Sequence, residues 1–294
     1  MEQVRFPNRV LPYALLAITL ILVGLFFFVP SVESLVLSFY RLSPFGDSRT
    51  FVGLDNFARL LSDTDYRNSF VITVIFVAFV VFVGLSVSLA GAVAANRRYR
   101  GFGIYRTLLI WPYALSPAIA GLVWALLMDP TIGLVTRPLA ELTGFTADWR
   151  SDGTAALLFI AVAATWKMIG YNVVLFLAGL QSIPTDLLEA ALVDGATSVK
   201  RFWRITFPLL APMTFFLFVM NSLYAFFDVF GLVDITTAGG PGRATDLLIF
   251  KLYRDGFVGL NTGFASAQSV VLFIFVAGLM AFQFRFARRS VHYQ

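Results

Sequence analysis

Ile183-Pro184-Thr185-Asp186-Leu187-Leu188-Glu189-Ala190-Ala191-Leu192-Val193-Asp194-Gly195-Ala196-Thr197 continues as Ser198-Val199-Lys200-Arg201-Phe202-Trp203-Arg204-Ile205-Thr206-Phe207-Pro208 and joins two long apolar runs. Pro184 and Asp186 suit the first turn of a helix, where a missing N–H costs nothing and a carboxylate meets the positive end of the dipole. Leu187, Leu188, Ala191 and Leu192 then share one face at helical spacing. Asp194-Gly195 ends that helix, because glycine accepts the left-handed conformation of a C-terminal cap. Thr197 or Ser198 caps a second, basic and aromatic helix, and Pro208 opens the next apolar run. The apolar face of the first helix needs a cover. Another protein is one; the bilayer surface, which Lys200, Arg201 and Trp203 fit, is the other. The residues by themselves leave both open.

Outward from this loop the chain is mostly hydrocarbon. Hydrophobic side chains make up 59% of its 294 residues and charged ones only 13%, about half the charge of a soluble domain. A membrane span takes roughly 20 apolar residues, and spans are expected near 10–30, 70–95, 106–128, 154–180, 207–230 and 262–284. The run Val10 to Val29 follows Arg5 and Arg9 like a signal peptide, but it exceeds a signal core and lacks a small-residue cleavage site, so it reads as a retained span. Pro112 and Pro117 predict bends in the third span, and Pro208 and Pro212 at the start of the fifth. Six spans plus loops leave no room for a soluble domain, so residues 1–294 read as a single transmembrane domain. The expected fold class is all-α integral membrane protein.

Lys and Arg favour one side. Segments 1–9, 96–106, 181–206 and 285–294 hold 12 basic residues against 4 acidic, whereas 41–69, 129–153 and 231–261 hold 9 against 11. By the positive-inside rule both termini and the 183–208 loop are cytoplasmic. The same bias accounts for the net charge of +5 without nucleic acid, since the basic residues flank apolar runs. The outer segments Arg41 to Ser69 and 231–261 exceed simple turns. The second carries Ala238-Gly239-Gly240-Pro241-Gly242, too flexible to continue a helix; both suit a docking partner or a plain connector.

Several chemistries are excluded. The chain has no cysteine and a single histidine, His292, so thiol catalysis and His-based metal sites are out. No phosphate-binding G-x-x-x-x-G-K-[ST] loop occurs. Three ionisable residues remain within or near the spans: Glu33 by the outer interface, Lys167 and Asp228. Such residues are functional candidates because burying a charge in lipid is expensive. Lys167 sits beside Trp166, with Tyr171 and Asn172 about a turn on. Asp228 has Tyr224 and Asn221 at i−4 and i−7, on one face. Gln268 and Ser269 interrupt the sixth span. Lys167 with amide and hydroxyl donors suits a phosphate. A structural role stands beside it: Lys167 neutralising Asp228 or bonding to backbone, and Asn221 and Gln268 bonding between helices.

Glu189-Ala190-Ala191, Asp194-Gly195-Ala196, Ile205 and Pro208 resemble the "EAA" loop of binding-protein-dependent ABC importer permeases, with Phe207 in place of the usual leucine. Trp166-Lys167, Gly179 to Pro184 and Phe51 to Phe57 resemble the sugar-type subfamily. Trp111-Pro112-Tyr113-Ala114, Tyr224 to Asp228, Tyr253 to Phe257, Ala267 to Leu272 and Tyr293-Gln294 resemble its glycerol-3-phosphate branch. The resemblance implies a type I ABC importer permease fold in the inner membrane, with no enzymatic activity in this chain. It implies that Glu189, Ala190, Ala191, Asp194, Gly195, Ile205 and Pro208 couple to an ATPase. The implied partners are a dimer of ATPase subunits carrying ATP and Mg, a second homologous permease, an extracytoplasmic substrate-binding protein and membrane lipid. Glycerol-3-phosphate or glycerophosphodiesters are the implied cargo, with a sugar such as a disaccharide as the alternative. A secondary transporter would leave the Glu189–Pro208 loop without a task, and a membrane enzyme lacks any carboxylate or histidine cluster.

Overall fold

The computed structural model describes residues 10–44, 48–96, 102–143 and 148–290. Residues 1–9, the basic run Arg97-Arg98-Tyr99-Arg100, and the terminal His292, Tyr293 and Gln294 lie outside the described residues. In chain order the elements begin with α1 (Val10–Val23), a π-helical turn Gly24–Phe28 and α2 (Val29–Leu37). Then come β1 (Tyr40–Leu42), β2 (Arg49–Phe51), α3 (Asp55–Ser62), α4 (Thr64–Ala95), α5 (Phe102–Ala114), α6 (Pro117–Leu127), α7 (Thr136–Thr143) and α8 (Gly153–Gln181). The C-terminal half holds α9 (Thr185–Val193), α10 (Ser198–Arg201), α11 (Phe207–Leu209), α12 (Ala211–Leu223), α13 (Phe230–Thr236), α14 (Leu248–Tyr253) and α15 (Thr262–Ser290). Among the described residues five helical stretches are long and apolar enough to cross a membrane, or six when the bent pair Thr107–Ala114 with Pro117–Leu127 counts as one span.

The chain divides into two compact units. One comprises the described residues up to Asp63 together with Leu252–Ile274. Its first apolar helix runs as far as Leu37, and its apolar window is wholly exposed within this chain. A helix that is apolar all round is suited to lipid or a neighbouring subunit. Next comes a departure from the all-α expectation, the two-stranded hairpin pairing Tyr40 with Phe51 and Leu42 with Arg49. Asn56 explains why this outer segment is ordered: its buried amide donates to the carbonyls of Ser38 and Tyr40, each at 2.9 Å. Phe39 against Phe57 and Tyr40 against Phe51 add ring contacts. On the first part of α15, Gln268 donates to Asp255 at 2.7 Å and Ser269 meets Ser34 at 3.0 Å.

The other unit spans Thr64–Lys251 and Phe275 onward. Its centre is α4 against α8, with α5 on α8, α6 on α13, and α12 on α4 and α8. Lipid is as apolar as leucine, so close fit rather than hydrophobic burial holds such helices together, and small residues line their contacts. Ala156, Ala163 and Ala164 of α8 are fully buried. At Gly170 a Cβ would overlap the Leu109 carbonyl oxygen, so only glycine lets α5 come this close. The fit of α6 on α13 is tight but looser: a Cβ on Gly121 would lie 3.1 Å from the Leu232 carbonyl oxygen, and one on Gly231 would lie 3.2 Å from the Ala118 nitrogen.

The third span is broken rather than gently bent. Its two halves meet at 107°, Ser116 caps the second by accepting from the Ile119 N–H, and Pro117 stands in that helix's first turn. The connection that follows is tied down by Asp129. Its carboxylate accepts from the hydroxyl and N–H of Thr131 and the N–H of Ile132, and pairs with Arg150 at 2.5 Å. The Thr131 hydrogen bonds, then that of Ile132, and finally Arg150 hold the carboxyl down at about 2. Trp149 stacks on Phe159 and donates to the Met128 carbonyl at 2.7 Å.

The Gly-rich stretch does not continue α13, which ends at Thr236, and it is held by hydrogen bonds. The Thr245 hydroxyl donates to the Gly240 carbonyl and accepts from the Thr237 hydroxyl, at 2.7 Å each, and the Ala238 N–H reaches the Val233 carbonyl at 2.8 Å. Arg243 pairs with Asp65, and Thr73 of α4 accepts the Leu248 N–H at 2.9 Å, capping α14. Side-chain hydroxyls satisfy the backbone groups that a Gly-Pro run leaves unpaired.

Candidate functional site

The loop between α8 and α12 folds as its punctuation dictates. Pro184 precedes α9, and Asp186 sits in its first turn. Gly195 ends the helix at φ +73°, with the Ala196 N–H on the Ala191 carbonyl at 2.9 Å and its own N–H on the Leu192 carbonyl at 3.0 Å. Both bonds belong to a left-handed C-terminal cap. Thr197 accepts the Lys200 N–H at 3.4 Å and starts α10. A π-helical turn, Phe202–Thr206, carries Ile205 into α11, and α12 follows.

Of the apolar face expected on α9, only Ala191 is buried by this chain. Leu187 is 47% and Leu192 54% exposed, while Glu189, Ala190, Asp194 and Gly195 are open to solvent. Val193, Val199 and Trp203 extend the exposed surface. This is a short knob that none of the described residues covers.

Deeper in the same unit, α5, α8 and α12 bring together the polar residues of the spans. Lys167 is 5% exposed, and its ammonium donates to the Tyr113 carbonyl at 3.0 Å. It also lies over two rings, 5.1 Å from that of Tyr113 and 5.7 Å from that of Tyr224. Such cation–π contacts strengthen where water is excluded. Tyr113 stacks on Tyr171 with centroids 4.7 Å apart, and Trp124 meets Trp166 edge-on. Tyr113 was absent from the candidates read in sequence. The signal was present, because a proline at i+4 leaves the carbonyl of residue 113 without its helical donor.

Asn172 and Asn221, both fully buried, exchange amide bonds at 3.0 and 2.8 Å, and Asn221 also donates to the Leu217 carbonyl at 2.7 Å. They clasp α8 to α12, which is the interhelical role open to Asn221 in the sequence. Asn221 and Tyr224 turn into the interior of this unit, and Asp228 lies close enough to Tyr224 to act on it through its charge. A π-helical turn over Tyr224–Asp228 changes the register, so Asn221 and Tyr224 are buried and Asp228 is exposed. Asp228 makes no contact ion pair with Lys167, whose ammonium meets a carbonyl and two aromatic faces, but its carboxylate favours the Lys167 charge from further off. Gln268 belongs to the other unit, where it bonds to Asp255. Among the described residues no group of three or more His, Cys, Asp or Glu side chains is arranged to hold a metal.

A family model described as "Binding-protein-dependent transport system inner membrane component" matches residues 5–291. The chain is 50% identical to the sn-glycerol-3-phosphate transport system permease protein UgpA of Rhizobium meliloti (strain 1021), over 293 residues and 100% of both chains. It is 47% identical to the protein of the same name from Yersinia pestis bv. Antiqua (strain Antiqua), over 97% of this chain and 96% of that one. Among solved structures, a bacterial alginate ABC transporter in complex with alginate pentasaccharide-bound periplasmic protein matches with a TM-score of 0.83 and 21% identity, covering 95% of this chain and 94% of that one. A second structure, of a bacterial ABC transporter that imports alginate, matches at a TM-score of 0.81. The chain belongs to the binding-protein-dependent transport system inner membrane components and is a multi-pass permease subunit of an ABC importer.

Proposed function

We propose that this permease forms half of an ATP-driven pathway that brings sn-glycerol-3-phosphate, or glycerophosphodiesters of it, into the cell. The observation that carries this reading is full-length identity of 50% to relatives named for that cargo. The chemistry agrees with it. Lys167 places a positive charge among Tyr113, Tyr171 and Tyr224, whose aromatic faces and hydroxyls are of the kind that line a polyol. Asp228, Asn172, Asn221 and Gln268 complete the candidate pathway residues, with Asp228 the exposed acid.

Residues 1–294 act as a single transmembrane domain with both termini cytoplasmic. Its partners are a second, homologous permease, two ATPase subunits, an extracytoplasmic substrate-binding protein and the surrounding lipid. ATP and Mg are held on the ATPase, and this chain, without a phosphate-binding loop, does not hydrolyse ATP. Glu189, Ala190, Ala191, Asp194 and Gly195 sit in a groove of the ATPase. Closure of the ATPase dimer on ATP moves that knob, and Ile205 and Pro208 pass the motion to α12 and the pathway. Coupling of this kind needs an element biased by both sites, and α9 with α8 and α12 supplies it.

The test is competition. The complete transporter, reconstituted in liposomes with internal ATP, takes up labelled sn-glycerol-3-phosphate, and excess unlabelled glycerol-3-phosphate abolishes the signal while a disaccharide does not. Preferential uptake of a disaccharide by the wild type would overturn the cargo reading.

A further inference from the structure

The break in the third span and the Lys167 bond describe one arrangement. In a continuous helix the Tyr113 carbonyl accepts from the N–H of residue 117. Residue 117 is proline, which has no N–H to give. A carbonyl left bare inside a membrane protein is costly, so it must find a donor elsewhere. It finds Lys167, from the middle of α8, at 3.0 Å.

The two halves of the broken span have different companions. α5 lies on α8, pressed to it at Gly170. α6 turns away at 107° and lies on α13 through Gly121 and Gly231. α13 in turn follows the π-helical turn that carries Tyr224 and Asp228. Lys167 therefore sits at the joint between two packed layers. It holds the last turn of α5, and its charge rests against a ring from each side of the joint, Tyr113 of α5 and Tyr224 of the turn before α13.

We propose that Lys167 is a positioning residue for the transport cycle: by serving as the donor that Pro117 lacks, its ammonium fixes the bend of the third span to α8, so that motion of α8 is passed through the joint to α6 and α13. Lys167 then acts through the Tyr113 carbonyl, whatever the cargo. The proposal rests on the family to which the chain belongs and not on the choice of glycerol phosphate.

The discriminating variant is Pro117→Ala, which returns an N–H to position 117, where a helix continued past the extended Ser116 offers it to the Tyr113 carbonyl in place of an outside donor. The protein has no native cysteine, so spin labels on Leu108→Cys and Leu122→Cys, both exposed on either side of the bend, report the joint in the complete transporter. The wild type gives a narrow distance distribution. Lys167→Met, which keeps length and loses the donor, broadens it, and Lys167→Met with Pro117→Ala narrows it again. In the same set, cargo transported per ATP hydrolysed falls roughly tenfold in Lys167→Met, the effect of losing one hydrogen bond to a charged group, and recovers most of the loss in the double variant. Pro117→Ala alone stays near wild type. If Lys167→Met fails to assemble, restoration of assembly by Pro117→Ala supports the proposal equally. A double variant as broad and uncoupled as Lys167→Met overturns it, as does a Lys167→Met protein with a wild-type distribution, or Pro117→Ala alone as defective as Lys167→Met. The label readout needs no cargo. A wild-type transporter that ignores glycerol phosphate would count against the proposed cargo and leave this test standing.

Discussion

Removing Asn221 is expected to destabilise the permease more than removing Asn172, although the two side chains bond to one another. The asymmetry is in the bond list. Asn172 takes part in two bonds, both with Asn221, whereas Asn221 adds a third to the Leu217 carbonyl. At about 0.6 kcal/mol for a hydrogen bond within a membrane protein, Asn172→Ala costs about 1.2 kcal/mol and Asn221→Ala about 1.8 kcal/mol. The double variant loses no more than Asn221→Ala does, so the cycle gives a coupling energy of about 1.2 kcal/mol. Reversible unfolding in mixed micelles, followed by tryptophan fluorescence, measures all four proteins. Strict additivity, or a larger loss for Asn172→Ala, would refute the reciprocal clasp.

Three further outcomes follow from other parts of the molecule. Glu189→Lys or Gly195→Pro leaves insertion intact but separates ATP hydrolysis from uptake; the proline also cannot adopt φ +73° and deletes the N–H that closes the α9 cap. ATPase and uptake measured together in proteoliposomes check it. Gly170→Ala drives a Cβ into the Leu109 carbonyl and costs about 1–3 kcal/mol as an overpacking change, whereas Gly278→Ala, with nothing within 4 Å, is neutral in a thermal aggregation assay. Asp129 has a folded pKa of about 2, below the unfolded value of about 3.9. Its stabilisation is therefore complete above pH 4 or so and is lost as pH falls through the folded value. Asp129→Asn removes that part of the acid dependence of melting, and an unchanged acid limb would contradict the assignment.

Much of this was legible before any coordinates. Spans declare themselves by length and hydropathy, and the α9 cap by Asp194-Gly195, because local chemistry decides both. The hairpin at Tyr40–Leu42 escaped, since its order comes from Asn56 reaching back along the chain. That the Ala238–Gly242 run breaks the helix was legible in its glycines and proline, but the ties from Thr245 and Arg243 that hold it were not, since those residues carry no signal of their own. Among the polar residues of the spans, periodicity could not announce the π-helical turn over Tyr224–Asp228, which leaves Asp228 exposed while Asn221 and Tyr224 are buried. The sequence left Lys167 an acid or a backbone group as partner; the structure gives it the Tyr113 carbonyl in contact, with Asp228 acting on it from further off. A proline four residues after Tyr113 had marked that carbonyl.

The central claim is that ATP, acting through the Glu189–Pro208 loop, drives cargo across this chain. Uptake of sn-glycerol-3-phosphate by the reconstituted transporter, with binding protein outside, measures it most directly when internal ATP and an imposed ion gradient are varied separately. The account predicts accumulation that requires internal ATP and is indifferent to the gradient. Accumulation driven by the gradient in liposomes without ATP would contradict it.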